Sequence, residues 1–202
     1  INLGDSIYSY KIQNINNHFL DFFIRGKSTN ILDEIDALCS LSYNFGCDRD
    51  IFISEILYSV IKKKIENSVW TKLPNYSNLE KSDWESYFLK SDSIRELWSA
   101  QILIGKKDAL RGKSCVIQLP TSAGKTKSTE LIIRSSFLSK RSDLAVIVAP
   151  FRALCHEIKN DYEVFFKNEN IAIDEINDIY DENDVSHFNV NQSDSKKIVI
   201  LT

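Results

Sequence analysis

The segment Leu119-Pro120-Thr121-Ser122-Ala123-Gly124-Lys125-Thr126 combines residue types that suit a phosphate group. Small Ser122, Ala123 and Gly124 let the backbone curl so that successive N–H groups face anionic oxygens. A helix is predicted from about Lys125 to Lys140, and its first turn adds unpaired N–H groups and the positive end of a helix dipole. A lysine at position 125 can reach β- and γ-phosphates as a point charge, and the Thr126 hydroxyl can ligate Mg²⁺. Upstream, Cys115 to Leu119 reads as a short strand, completing the strand–loop–helix order that a phosphate loop requires. Leu119 stands where the common G-x-x-x-x-G-K-T pattern has its first glycine.

Those residues need a scaffold, and the chain divides into two regimes. Residues 1–92 read as an all-helical region. Ile7, Ile12, Ile15, Phe19, Phe22 and Phe23 recur at helical spacing up to Gly26, and Ile31, Leu32, Ile35, Leu38, Cys39 and Leu41 do so up to Gly46. Ile53, Ile56, Leu57, Val60, Ile61 and Ile65 mark a third helix from Asp48, whose Lys62-Lys63-Lys64 run suits a cationic last turn. Pro74 and its polar neighbours read as a loop, and Ser82-Asp83-Trp84-Glu85 as a capping box opening a short helix. From residue 93 helix and strand alternate. Ser93-Ile94-Arg95-Glu96 looks like a second capping box, with a helix running towards Leu110 and a turn at Arg111-Gly112. Strands follow at Leu144 to Ala149, Ile171 to Ile173 and Ile198 to Leu201, with a helix from Pro150 to about Lys167 between the first two. Strands separated by helices indicate right-handed crossovers and a mainly parallel sheet.

Composition narrows the setting. The 202 residues are 43% hydrophobic and 26% charged, which excludes a disordered, collagenous or membrane-spanning chain. A net charge of −3 argues against a simple basic nucleic-acid module, though not against an enzyme gripping a strand in a local groove. Cys39, Cys47, Cys115 and Cys155 have no paired spacing and read as small buried hydrophobes in a reduced, cytoplasmic compartment. His18, His156 and His187 lack metal-ligand spacing. The chain begins at Ile1 and contains no methionine, so a piece of a longer protein is expected.

Pro-Thr-x-x-Gly-Lys-Thr after a strand resembles motif I of superfamily 2 helicases. In the same order, Leu97-Trp98-Ser99-Ala100-Gln101 is similar to that family's adenine-reading Q motif, and Ala149-Pro150-Phe151-Arg152-Ala153-Leu154 with Glu157 to its strand-contacting motif Ia. The Pro-x-Arg-Ala-Leu wording is closest to the Ski-type DExH branch, and Lys197 to Thr202 resembles the start of motif Ib. The resemblance covers about residues 94–202. It implies an α/β, parallel-sheet RecA-like domain, incomplete here, at 93–202 behind a helical accessory region at 1–92. It also implies ATP held by Gln101, Thr121, Ser122, Ala123, Gly124, Lys125 and Thr126, with Mg²⁺ on Thr126. A DNA or RNA strand would be held by Pro150, Phe151, Arg152 and Thr202. Helicases of some bacterial antiphage systems carry extra N-terminal helices of this kind.

Hydrolysis needs a carboxylate to hold Mg²⁺ and orient water, and in this family an arginine from a second RecA-like domain. The 202 residues alone are therefore expected to hydrolyse little ATP. Ile171-Ala172-Ile173-Asp174-Glu175 offers such carboxylates at a spacing at home in AAA+ ATPases, an alternative with Asp174 and Glu175 as the acidic pair. Asp181-Glu182 lacks a preceding apolar strand and reads as a solvated loop. A third reading, from a different class, makes the segment an interaction module whose helical half docks a partner such as a nuclease.

Overall fold

A computed structural model describes residues 3–27, 30–120, 123–176 and 196–202, with side chains from residue 7 onward. The chain forms two compact units, Ile1–Asn75 with Glu80–Ile102, and Tyr76–Leu79 with Leu103–Thr202.

The first unit is helical, as its periodicity predicts. It contains α1 (Leu3–Arg25), α2 (Ile31–Phe45), α3 (Asp48–Asn67), most of α4 (Val69–Ser77), the single turn α5 (Glu85–Phe88) and the start of α6 (Ser99–Lys106). On α2, Ile31, Ile35 and Leu38 lie on one stripe and are buried. The α2–α3 turn is closed by Asp50, whose carboxylate accepts the Cys47 N–H at 3.0 Å and its thiol at 3.2 Å. These bonds hold the Asp50 carboxyl below the usual carboxylate range. Trp70, Trp84, Tyr87 and Phe88 form a buried aromatic group, with Trp70 and Phe88 ring centres 4.2 Å apart. Gly26 ends α1 at φ +66°, and a Cβ there would stand 2.2 Å from the Trp70 ring.

Three local expectations are corrected. Pro74 lies inside α4 rather than in a loop. Its missing N–H costs about 3 kcal/mol in a helix interior. Burying Val69, Trp70 and Leu73 on one face returns roughly 1.5–3 kcal/mol each, and burial wins. The short helix expected after Ser82 does form, from Glu85, but Trp84 is its N-cap without a side-chain hydrogen bond, and the Asp83 carboxylate accepts the Glu80 N–H at 2.9 Å. Ser93-Glu96 does not open a helix. The Ser93 hydroxyl donates back to the Lys90 carbonyl at 2.8 Å, the 95–97 backbone pairs with 67–69, and Glu96 holds Lys64 at 2.5 Å. The helix begins instead at Ser99.

The second unit is a parallel α/β layer. Its sheet has the order β1 (Leu144–Val148), β3 (Lys196–Leu201), β2 (Ile171–Ile176), with both pairings parallel. Helices α7 (Lys125–Leu138) and α8 (Arg152–Phe165) pack on it. Ile133 and Phe137 of α7, and Cys155 and Tyr162 of α8, join Ile198 and Ile200 of β3 in one core. Buried on both faces, the central strand reads as an uninterrupted apolar run. At Gly105 a Cβ would meet the Tyr76 ring at 2.1 Å, so only glycine fits there.

The strand expected at Cys115 to Leu119 is not formed: residues 113–120 are irregular, and Cys115 to Gln118 are exposed. A strand exists only by pairing, and among the described residues none pairs with this segment. Two cysteines also depart from expectation, Cys47 and Cys115 being exposed, while Cys155 is fully buried. No described helix is long and apolar enough to cross a membrane.

Gly26→Ala is expected to lower the melting temperature by several degrees, because positive φ and the Trp70 contact together cost more than about 1 kcal/mol. A thermal melt of the two forms checks this.

Candidate functional site

Gly124 caps α7 in the left-handed conformation, φ +78° and ψ +37°, a geometry that favours glycine. It turns the chain sharply into Lys125 and Thr126. Behind them the Ser128 N–H and hydroxyl both donate to the Gly124 carbonyl, at 2.9 and 2.8 Å, and the Thr129 hydroxyl donates to the Lys125 carbonyl at 3.0 Å. No side-chain cap occupies the start of α7. Its first N–H groups, which lack partners within the helix, are thus left for an anion. Lys125 is exposed and Thr126 half-buried. Thr121 and Ser122 lie outside the described residues, so the loop is seen from Ala123 onward. Its residues fit a phosphate by charge, backbone conformation and placement before a helix.

Sequence reasoning passed over the other face of α7. Glu130 and Arg134, each 3% exposed or less, form a buried pair at 3.0 Å. Arg134 Nη1 also donates to both oxygens of Glu169, at 2.7 and 2.8 Å, and Nη2 to the Phe165 carbonyl at 3.0 Å. Its guanidinium lies 4.4 Å from the Phe166 ring centre. Lys127 completes the group, 3.0 Å from Glu130 and 3.6 Å above the Phe165 ring. The signal was present as charges at i, i+3 and i+7 on α7, but Glu169 is 35 residues away. Tyr162, packed in the same core, makes no hydroxyl hydrogen bond among the described residues. Burial, with Glu130 adding to it, pushes its ionisation well above the usual phenol range.

The residues expected to grip a strand come together where β1 and β3 end. Val148 pairs with Leu201, and the Ala149 N–H donates to the Leu201 carbonyl at 2.8 Å. Pro150, Phe151 and Arg152 therefore leave β1 beside Thr202. All four are exposed, and Phe151 is the N-cap of α8. The carboxyl ends of parallel strands are where ligands bind in open α/β sheets.

Gln101 belongs to the first unit, is 5% exposed, and accepts the Trp98 N–H at 2.9 Å, so it helps cap its own helix. Its oxygen keeps a second lone pair and its amide two donors. Asp174 lies on edge strand β2 and is held by Lys197 at 2.8 Å, while Glu175 faces His156 at 3.4 Å. His18 pairs with Glu34 at 2.8 Å. His187, Asp181 and Glu182 lie outside the described residues. Among the described residues no cluster could hold a metal without help from a ligand.

The DEAD/DEAH box helicase family profile matches residues 103–202, the stretch that makes up nearly all of the second unit. That segment is similar to the DEAD/DEAH box helicases of superfamily 2. The chain is also similar to the Hachiman protein HamB of Bacillus cereus, 24% identical over 174 residues, covering 82% of this chain and 15% of that protein. It resembles the ATP-dependent DNA helicase Hel308 of Thermococcus kodakarensis, 32% identical over 75 residues, covering 37% of this chain and 7% of that one. The chain thus spans only a small part of the length of these curated relatives.

Gly124→Ala is expected to loosen the start of α7, since the left-handed conformation costs a residue with a Cβ about 1–2 kcal/mol. Amide exchange at Ser128, whose N–H bonds to the Gly124 carbonyl, should quicken roughly 5- to 30-fold.

Proposed function

We propose that this chain carries the ATP-binding loop and part of the strand-binding surface of an ATP-dependent nucleic-acid helicase or translocase. The observation that carries the reading is Gly124-Lys125-Thr126, a left-handed glycine followed by an exposed lysine at an uncapped helix start, in a segment of the DEAD/DEAH box type. Ala123, Gly124 and Lys125, with Thr121 and Ser122, would hold the ATP phosphates, and the Thr126 hydroxyl would ligate Mg²⁺. Bound there, the ion supplies charge neutralisation of the phosphates. Lys125 holds the phosphate end of the nucleotide in register. Gln101 is proposed, on its sequence position, to read the adenine edge.

Arg152 and the N–H groups at the start of α8 suit the sugar–phosphate backbone, and Pro150, Phe151 and Thr202 line the same end of the sheet. Such contacts grip any sequence. The likeness to a DNA helicase supports DNA as the strand, and a place in antiviral defence and in the cytoplasm belongs to the same proposal. The AAA+ alternative is disfavoured, because Lys197 already engages Asp174 and the matching family is that of the helicases. The docking-module reading keeps one supporting observation: Tyr43, Phe45, Phe52, Ile56 and Val60 are exposed on the helical unit, apolar surface that a protein partner such as a nuclease could cover.

The test is strand-stimulated ATP hydrolysis by the full-length protein. Lys125→Ala should lower kcat by about 100-fold or more while leaving the fold intact. Arg152→Ala should weaken binding evenly across strand sequences and reduce the salt slope by about one. Unchanged turnover in Lys125→Ala would overturn the motor reading and leave the docking module.

A further inference from the structure

We propose that Arg134 is a positioning residue for the phosphate loop: with Glu130, Glu169 and Lys127 it sets the rotation of α7 and so the direction of Lys125. The inference rests on the ATP-binding reading of the loop and adds to it the part that aims it.

Lys127, Glu130 and Arg134 stand at i, i+3 and i+7, one stripe of α7; Lys127 and Arg134 are tied to the end of α8 and the turn after it, and Glu130 links the two within α7. Lys125 lies two residues before Lys127, about 200° round the helix, and is the exposed one. Holding the stripe therefore fixes where Lys125 and Thr126 point. Lys127 carries the restraint into the first turn itself, through Glu130 and the face of the Phe165 ring.

The chemistry of the group favours positioning over stability. A buried ion pair seldom outperforms well-packed apolar side chains, because desolvation offsets the attraction. Two carboxylates and two cations leave the group near neutral, so burial is tolerable. What it gives is direction. Arg134 Nη1 donates to both oxygens of Glu169, Nη2 bridges Glu130 and the Phe165 carbonyl, and the guanidinium lies on the Phe166 ring. Lysine, a point charge on a flexible stem, cannot reproduce that set.

The experiment measures KM for ATP, kcat and melting temperature for full-length Arg134→Lys and Glu169→Gln, with Lys125→Ala as reference. Glu169 is the more exposed partner, so its substitution keeps a folded protein in hand should Arg134→Lys unfold. Arg134→Lys is expected to raise the KM for ATP about 10- to 100-fold, the scale of a small misplacement of a binding group, with kcat within about twofold. Glu169→Gln should move KM the same way by less. Folded variants with a lowered melting temperature and an unchanged KM would overturn the proposal and leave a structural role alone. If Lys125→Ala also turns over normally, the ATP reading itself fails. If Lys125→Ala is inactive while both other variants keep their KM, only the positioning role fails.

Discussion

The second unit depends on one constraint, the two-sided burial of β3. Its backbone is satisfied by β1 on one side and β2 on the other, and Ile198, Val199 and Ile200 are fully buried. Helices α7 and α8 together cover the face that carries Ile198 and Ile200. Even its one buried charge is matched, Lys197 reaching Asp174 on the neighbouring strand. With β3 fixed, the ends of β1 and β3 are brought side by side, and Arg152 and Thr202 come with them. The surface proposed to hold a strand is thus a by-product of how the sheet is buried.

Charge plays two roles within this unit. Lys125 and Arg152 are exposed at helix starts, where backbone N–H groups add to the effect of a cation on the phosphate proposed there. Buried Arg134 and Glu130, with half-buried Lys127 and Glu169, balance one another, two cations against two carboxylates, and, as proposed, orient α7.

What could be read from the sequence was local or periodic. Gly124-Lys125-Thr126 is contiguous, the run ending at Leu201 is continuously apolar, and the stripes of α2 and α3 repeat at regular intervals. The failures share a cause, dependence on distant partners. Cys115 to Leu119 has a strand's composition, yet pairing decides whether a strand forms. Ser93 and Glu96 have the spacing of a capping box, but the backbone between them is taken by residues 67–69 and Glu96 by Lys64. Pro74 sits in a helix because three buried side chains outweigh one lost bond. Arg134 drew no notice because its chief partner, Glu169, is remote in the chain.

The central claim is that ATP is held at the start of α7. The most direct measurement is a structure of the full-length protein with Mg²⁺ and a non-hydrolysable ATP analogue. The account predicts terminal phosphate oxygens about 3 Å from Lys125 Nζ and from the first N–H groups of α7, with the metal on the Thr126 hydroxyl. A nucleotide bound elsewhere, with Lys125 left in solvent, would contradict it.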